Sequence, residues 1–303
     1  MPKDILDIYT DYLICQNQQA TAIGLANLLD SELSHDQITR FLNQNEYSSK
    51  DLWKYVKADV RKHEQKTGGV LIIDDAIEEK PYTDENEIVS WHFSHAKGRC
   101  VKGINILSGL IRYGDLALPI GYEVIKKDLH FCDIKTKKEQ RQSSMTKNQH
   151  LRALVAQAIE NGVLFDYVLA DNWFDAKDNM EFIHYDLKKF FVFGIKANRL
   201  IALSEEDRKK GRYQNLNTLD FKGGQKRVVW LKDLAFPVAL ITKIFKNEDG
   251  SAGVLHIVTN DLDSDADRIY EVYQKRWRIE EYHKSIKQNT SLEKLILTHK
   301  SKI

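Results

Sequence analysis

The sequence predicts an α/β protein: a mixed, largely parallel sheet flanked by helices, with a helical segment in front. Three observations lead there. Residues 69–75 (GVLIIDD) and 164–171 (LFDYVLAD) are short β-branched apolar runs that each end in Asp. Unbroken apolar runs of this length suit strands buried on both faces. Between them, Thr146 to Glu160 carries Leu151, Leu154, Val155 and Ile159 at helical spacing, and strand–helix–strand order belongs to a mixed α/β layer.

Residues 1–65 read as helical, with Ile5, Ile8, Tyr9 and Tyr12 on one face of a first helix and a second over Ala20–Leu29. After the turn DSEL, Ser34 is an N-cap for HDQITRFLN. Two short helices joined this way, with His35, Gln37 and Arg40 early in the second, form a candidate helix-turn-helix, a pattern shared by many small bundles. Ser49 is the expected cap of a further helix through Trp53, Tyr55 and Val60.

The strand at 69–75 opens the main sheet. Strands are expected at Val101–Leu110 and Ile111–Ile120, then a polar, lysine-rich loop around His130–Ser144. After Asp171 come a helix over residues 175–187 and the strand FFVFGIK. Residues 197–260 form a β-rich stretch containing RVVWLK, PVALITKIF and GVLHIVTN. A last helix, Ser264–Gln288, closes the described pattern.

That last helix carries YQKRWRIEEYHKSIK at 273–287. At about 100° per residue, Tyr273, Arg276, Glu280 and Lys287 fall within roughly 60° of one another. A phenol, a guanidinium, a carboxylate and an ammonium thus share a face, as do charges on many solvated helices. Glu281 lies about 80° from Tyr273 and Glu280 about 20°. An Asp at a strand end is often a turn former, and ligands of open α/β sheets also bind beyond these ends. Two such Asp residues plus an acidic-basic helix make a three-carboxylate site for a hard cation.

These residues resemble the DDE transposases of bacterial insertion sequences, in the insertion-sequence-four branch with the signature Y-x-x-R-x-x-x-E-x-x-x-x-x-x-K. Tyr273, Arg276, Glu280 and Lys287 supply every element of it. LADNWF resembles the second carboxylate motif and selects Asp171. The first motif is an Asp followed two residues later by Thr; here IIDDAIEEK has Ala76 in that place. Alternation lets only one of Asp74 and Asp75 point into a site from a regular strand. Asp74 is favoured and Asp75 stays the alternative.

The resemblance spans roughly residues 20–300 and implies an RNase H-like core. On that reading 1–65 is a DNA-binding helical domain, 66–196 the first part of the core, 197–260 a β-rich insertion and 261–303 the completing helix. It implies Mg²⁺ or Mn²⁺, two ions held by Asp74, Asp171 and Glu280, with hard oxygen ligands matched to a hard cation. Arg276, Lys287 and Tyr273 would bind phosphates; from their own positions, Lys284 on the same helix face would add a contact, and Lys196 and Arg199, which follow the strand end in GIKANR, would touch the DNA backbone. The implied activity is cleavage of double-stranded element ends and strand transfer. The implied partner is a second copy of the chain, and the implied location the bacterial cytoplasm, on the nucleoid. The chain ends at LTHKSKI, where the resembled family continues, so the C-terminus is expected to be truncated. An end-binding remnant without cleavage, or a related nuclease without strand transfer, is therefore an alternative.

Composition narrows the field. Lys and Arg number 45 against 44 Asp and Glu, a net charge of +1. The cations are uneven, concentrated in residues 188–232 and densest in RKKGR, Arg208–Arg212, which is either a phosphate-binding surface or a solvated segment. No run of about 18 apolar residues is present, so no membrane span is expected. Cys15, Cys100 and Cys132 fit neither a disulfide framework nor a zinc site. No Gly-rich phosphate loop or nucleophile elbow suggests a metabolic enzyme. His92 and His95 are a weak metal pair, and Trp173, Trp230 and Trp277 are expected in the core rather than stacked on a base.

Overall fold

The computed structural model describes residues 4–16, 20–44, 47–94, 97–135, 137–219, 223–246 and 250–289. Its centre is the first apolar run. Strand β1 (Val70–Glu79) pairs antiparallel with β3 (Arg99–Tyr113) and parallel with β7 (Tyr167–Ala170). β7 in turn runs parallel to β8 (Phe190–Gly194). On its far side β3 is flanked by β4 (Leu116–Val124) along one half and by β2 (Ser90–Ser94) along the other. The order β4-β3-β1-β7-β8 is compatible with an RNase H-like sheet.

The chain after β8 extends the same sheet. The strands β9 (Leu200–Ala202), β10 (Gln214–Asn215), β11 (Lys226–Leu231), β12 (Val238–Lys246) and β13 (Ala252–Thr259) continue it in the order β8-β13-β12-β11-β9-β10. A β5–β6 hairpin (Leu129–Cys132, Glu139–Gln142) stands apart.

Each face of the sheet is covered by helices. Leu71 and Ile73 of β1 face α4 (Ser49–His63) and α5 (Lys147–Glu160), which contribute Trp53, Val60, Leu151, Leu154 and Val155. Val70 and Ile72 face the other way, onto Ile269, Val272 and Tyr273 of α8 (Ala266–Gln274) and Ile279 of α9 (Trp277–Asn289). Period-two alternation therefore divides β1 between two cores. In front, α1 (Ile5–Cys15), α2 (Ala22–Leu28) and α3 (His35–Gln44) close around Tyr12, Leu25 and Ile38. None of the described helices is long and apolar enough to cross a membrane.

The caps follow the sequence closely. Ser34 accepts from the Gln37 amide while Gln37 accepts from that of Ser34. Thr146 and Gln149 form the same reciprocal box at α5. The α4 cap is Ser48, with Asp51 as its partner, one residue before the expected Ser49.

Several expectations are corrected. The β3–β4 turn lies at Gly114–Asp115, not between Leu110 and Ile111, because Gly114 adopts φ +57° there. β1 continues past the Asp pair to Glu79, held by β3 along its whole length. The helix expected over 175–187 is a short α6 (Lys177–Glu181) followed by a wider π turn over Phe182–Asp186. The lysine-rich loop contains the β5–β6 hairpin. The signature helix is two helices, α8 and α9, with a tight turn at Lys275–Arg276 whose amides bond to carbonyls three residues back.

Candidate active site

Asp74 and Asp171 are brought together by register. Ile72 pairs with Leu169 in the parallel ladder, so two residues further on Asp74 stands abreast of Asp171, on the face covered by α8 and α9. Asp75 points to the opposite face, where the Lys147 ammonium of α5 meets it at 2.6 Å. The pleat thus separates the two neighbouring carboxylates.

Glu280 arrives from α9. Arg276, in the turn between α8 and α9, bonds Asp74 at 3.2 Å and Glu280 at 2.8 Å. Its Nε is buried without a partner. The break in the helix leaves this i,i+4 pair intact, because Lys275 keeps helical backbone angles (φ −59°, ψ −19°). Tyr273 is buried, and its hydroxyl lies 3.0 Å from where a Cβ on Gly194 would stand; a side chain there would push α8 away from β8. Glu281 points elsewhere and pairs with Arg278 at 2.7 Å.

Asp74, Asp171, Arg276 and Glu280 line one cleft of about 1380 Å³, and Asp75 and Lys147 line it too, while Tyr273 is not among its lining residues. Lys287 reaches the end of β1, donating to the Ile77 carbonyl at 2.8 Å with Glu78 at 3.9 Å. Lys284 lines the cleft as well. Lys196 and Arg199 do not: they line a separate hollow of about 360 Å³ with Lys232. The two sites adjoin through Trp173, a cleft residue over whose ring the Lys196 ammonium sits at 4.2 Å. Arg199 is held by the Asp175 carbonyl at 3.2 Å.

Charge in the cleft is finely balanced. Burial, and then the neighbouring Asp171, push the Asp74 carboxyl up to about 7. Burial also raises Asp171, opposed by the Trp173 amide that donates to it. Burial by itself would lower the Arg276 pKa, but Tyr273, Asp74, Glu280 and Asp171 together raise it. His283, one turn beyond Glu280, is driven down to about 4 by burial and then Lys287.

The donor chemistry fits a hard divalent cation. Two partly buried carboxylates with raised pKa values, side by side, are relieved by positive charge, and carboxylate oxygens suit Mg²⁺ or Mn²⁺. Among the described residues no three Asp, Glu, His or Cys side chains gather closely enough to hold one ion. The Arg276 guanidinium bonds both Asp74 and Glu280, and the Glu280 side chain, 42% exposed, is turned onto it. Asp74 and Asp171 lie side by side, and Glu280 is linked to Asp74 through Arg276.

A sequence profile of the DDE superfamily endonucleases matches residues 2–214. The transposase DDE domain profile matches residues 136–300. The chain belongs to the DDE transposase and endonuclease superfamily. Members act on DNA and generally use divalent metal ions. Comparison with curated protein sequences gave no significant match.

For this DDE protein, sequence reasoning missed several cleft residues: Lys147, Lys127, His283, Trp91 and Phe93. The spacing of His283, three residues beyond Glu280, was a signal that could have found it. The cation-rich RKKGR is mostly self-neutralised: in and beside α7 (Glu205–Lys209), Lys209 pairs with Glu205, Lys210 with Glu206 and Arg212 with Asp207. Trp173 and Trp277, expected in the core, are 42% and 60% exposed, because one follows a strand end and the other starts α9 on its outer side. His92 is buried and shares a hydrogen bond with Ser90; His95 lies outside the described residues. Cys15, Cys100 and Cys132 are free and exposed.

Proposed function

We propose that this chain is a transposase of the insertion-sequence-four type, which cuts the ends of its element and joins them to target DNA by metal-dependent phosphoryl transfer. The observation that carries the reading is the abreast pair Asp74 and Asp171 with Glu280 tethered to it through Arg276. Asp74 is preferred over Asp75, whose carboxylate is taken up by Lys147 on the other face.

Asp74, Asp171 and Glu280 would hold the ions, two by the resemblance. Bound there, the metal would activate the attacking oxygen and stabilise the leaving one. With its carboxylates holding another cation, Arg276 would offer its fork to a DNA phosphate, a geometry that Lys cannot copy. Lys287 and Lys284 hold flanking phosphates as point charges. Tyr273 fixes α8 against β8 and presents its hydroxyl beside Arg276. Lys196 and Arg199 extend the DNA track past Trp173.

Residues 1–65 are proposed to read the ends through α2 and α3, where His35, Gln37 and Arg40 are exposed. Residues 66–196 and 261–303 are proposed as the RNase H-like core, of which 290–303 lie outside the described residues, and 197–260 as an insertion that widens its sheet. A homodimer on DNA pairs two ends in the bacterial nucleoid.

The test is incubation with DNA carrying the flanking ends of the element, in Mg²⁺ and then in EDTA. Metal-dependent nicking at the ends, lost in Glu280→Ala, is expected. Nicking that persists in EDTA or in that variant sinks the proposal.

A further inference from the structure

Strand β2 lies at the sheet edge next to the cleft and presents two aromatic rings outward. Along it Ser90 and His92 are buried, while Trp91 and Phe93 are 50% and 49% exposed. Both belong to the cleft lining.

Register shows which way they face. Trp91 pairs with Lys102 and Phe93 with Cys100 across β3. Counting by twos along β3 from those partners gives Ile104, Ile106 and Ser108, and Ser108 is the partner of Asp74. Paired residues share a face, so Trp91 and Phe93 rise from the same face of the sheet as Asp74. At about 3.4 Å per residue the Trp91 rung lies roughly 20 Å from the Asp74 rung. Gly103 makes this placement possible. A Cβ there would stand 2.2 Å from the Glu78 carbonyl, so only glycine lets β1, β3 and β2 run together to the end of the cleft.

We propose that Trp91 and Phe93 form a stacking platform for unpaired bases of a DNA strand lying in the catalytic cleft. Resting on the DNA-cutting reading above, the platform makes DNA with a locally melted segment a better ligand than continuous duplex. Three features favour an unpaired strand as occupant. Two rings at i and i+2 of a strand offer neighbouring flat surfaces, and stacking on such surfaces tolerates any base. Lys102, directly across from Trp91, supplies charge for the phosphates, and Lys97, in the same cleft, stands paired with Glu79 at 2.6 Å. The platform is also continuous with the carboxylates, so one strand can engage both. A paired duplex shields its base faces within its own stack and gains no such contact.

The test uses the full chain, low salt and EDTA, so that binding is read without cleavage. The probes are a duplex with an internal unpaired segment carrying 2-aminopurine and the same duplex fully paired. Wild-type protein is expected to quench the unpaired 2-aminopurine. The variant Trp91→Ala/Phe93→Ala is expected to lose the quenching and to bind the melted probe about tenfold or more weakly. Its affinity for paired duplex should change less than about twofold. Its melting temperature should match wild type, since both rings are half exposed. Exchange of the Cys100 thiol into a mixed disulfide tethered to a base of the unpaired segment, releasing the small thiol and made with Cys15 and Cys132 changed to Ser, is an independent positive. Unchanged quenching in the double variant, or equal weakening on both probes, overturns the platform. Cleavage in Mg²⁺ by Asp171→Ala is scored separately. Its persistence would sink the catalytic reading while leaving the stacking result standing.

Discussion

At Asp74, burial removes water from the charged form and Asp171 adds like charge, so the carboxyl keeps its proton up to about pH 7. The native pKa lies above the ordinary 3.8, so between about pH 4 and 7 the folded chain binds a proton that the unfolded chain has lost. Stability without metal therefore falls as pH rises through that window. Asp74→Asn stays neutral and escapes the fall. In EDTA its melting temperature, relative to wild type, should climb from pH 5 to pH 8, and a pH-independent difference would count against this electrostatic account. Metal binding requires the deprotonated carboxylate. Mg²⁺ affinity, measured calorimetrically, should thus weaken as pH drops below about 7. Arg276 is the other decisive residue. Arg276→Ala leaves Asp74 and Glu280 without their shared cation, so Mg²⁺ should stabilise this variant against heat more than it stabilises wild type. An unchanged Mg²⁺ shift would mean that Arg276 does not compete for the carboxylates.

At the scale of elements, most of what positions the site was legible, because it rests on local signals. The two apolar runs, their terminal Asp residues, the Ser34 cap and the helical spacing of Arg276 and Glu280 all appear in the sequence. Other features were hidden because they depend on distant partners. Nothing local says that β1 runs on to Glu79, since β3 holds that extension. The strands of residues 197–260 look like a separate β-rich piece until β13 is seen to pair with β8. The Gly-Asp turn after Tyr113 was readable and was misplaced, because the apolar residues run unbroken through Leu110 and Ile111. The β1–β3–β2 junction makes its own prediction. Gly103→Ala forces a Cβ against the Glu78 backbone, and overpacking of this kind costs about 1–3 kcal/mol. Urea unfolding should show a loss of at least that size. A neutral substitution would mean that the strands can move apart freely there.

For the whole molecule, a net charge of +1 leaves little long-range attraction for DNA. The cleft is equally balanced: Lys and Arg in its lining match Asp and Glu in number. Divalent ions would tip that balance towards the phosphates. DNA affinity at about 0.15 M salt should accordingly rise about tenfold or more when Ca²⁺ replaces EDTA. The gain should vanish in Asp74→Ala and Asp171→Ala, as read by fluorescence anisotropy. Equal affinity with and without the ion would place the main DNA-binding surface outside the cleft.

The most direct test of the central claim is a side-by-side measurement of single-turnover DNA nicking in Mg²⁺ by Asp74→Ala, Asp75→Ala, Asp171→Ala and Glu280→Ala. Metal ions supply several kcal/mol of stabilisation, and each 1.4 kcal/mol is tenfold in rate. Three variants should fall by about a thousandfold or more, and Asp75→Ala by less than about tenfold. A collapse in Asp75→Ala with Asp74→Ala still active would contradict the assignment and move the site to the other face of the sheet.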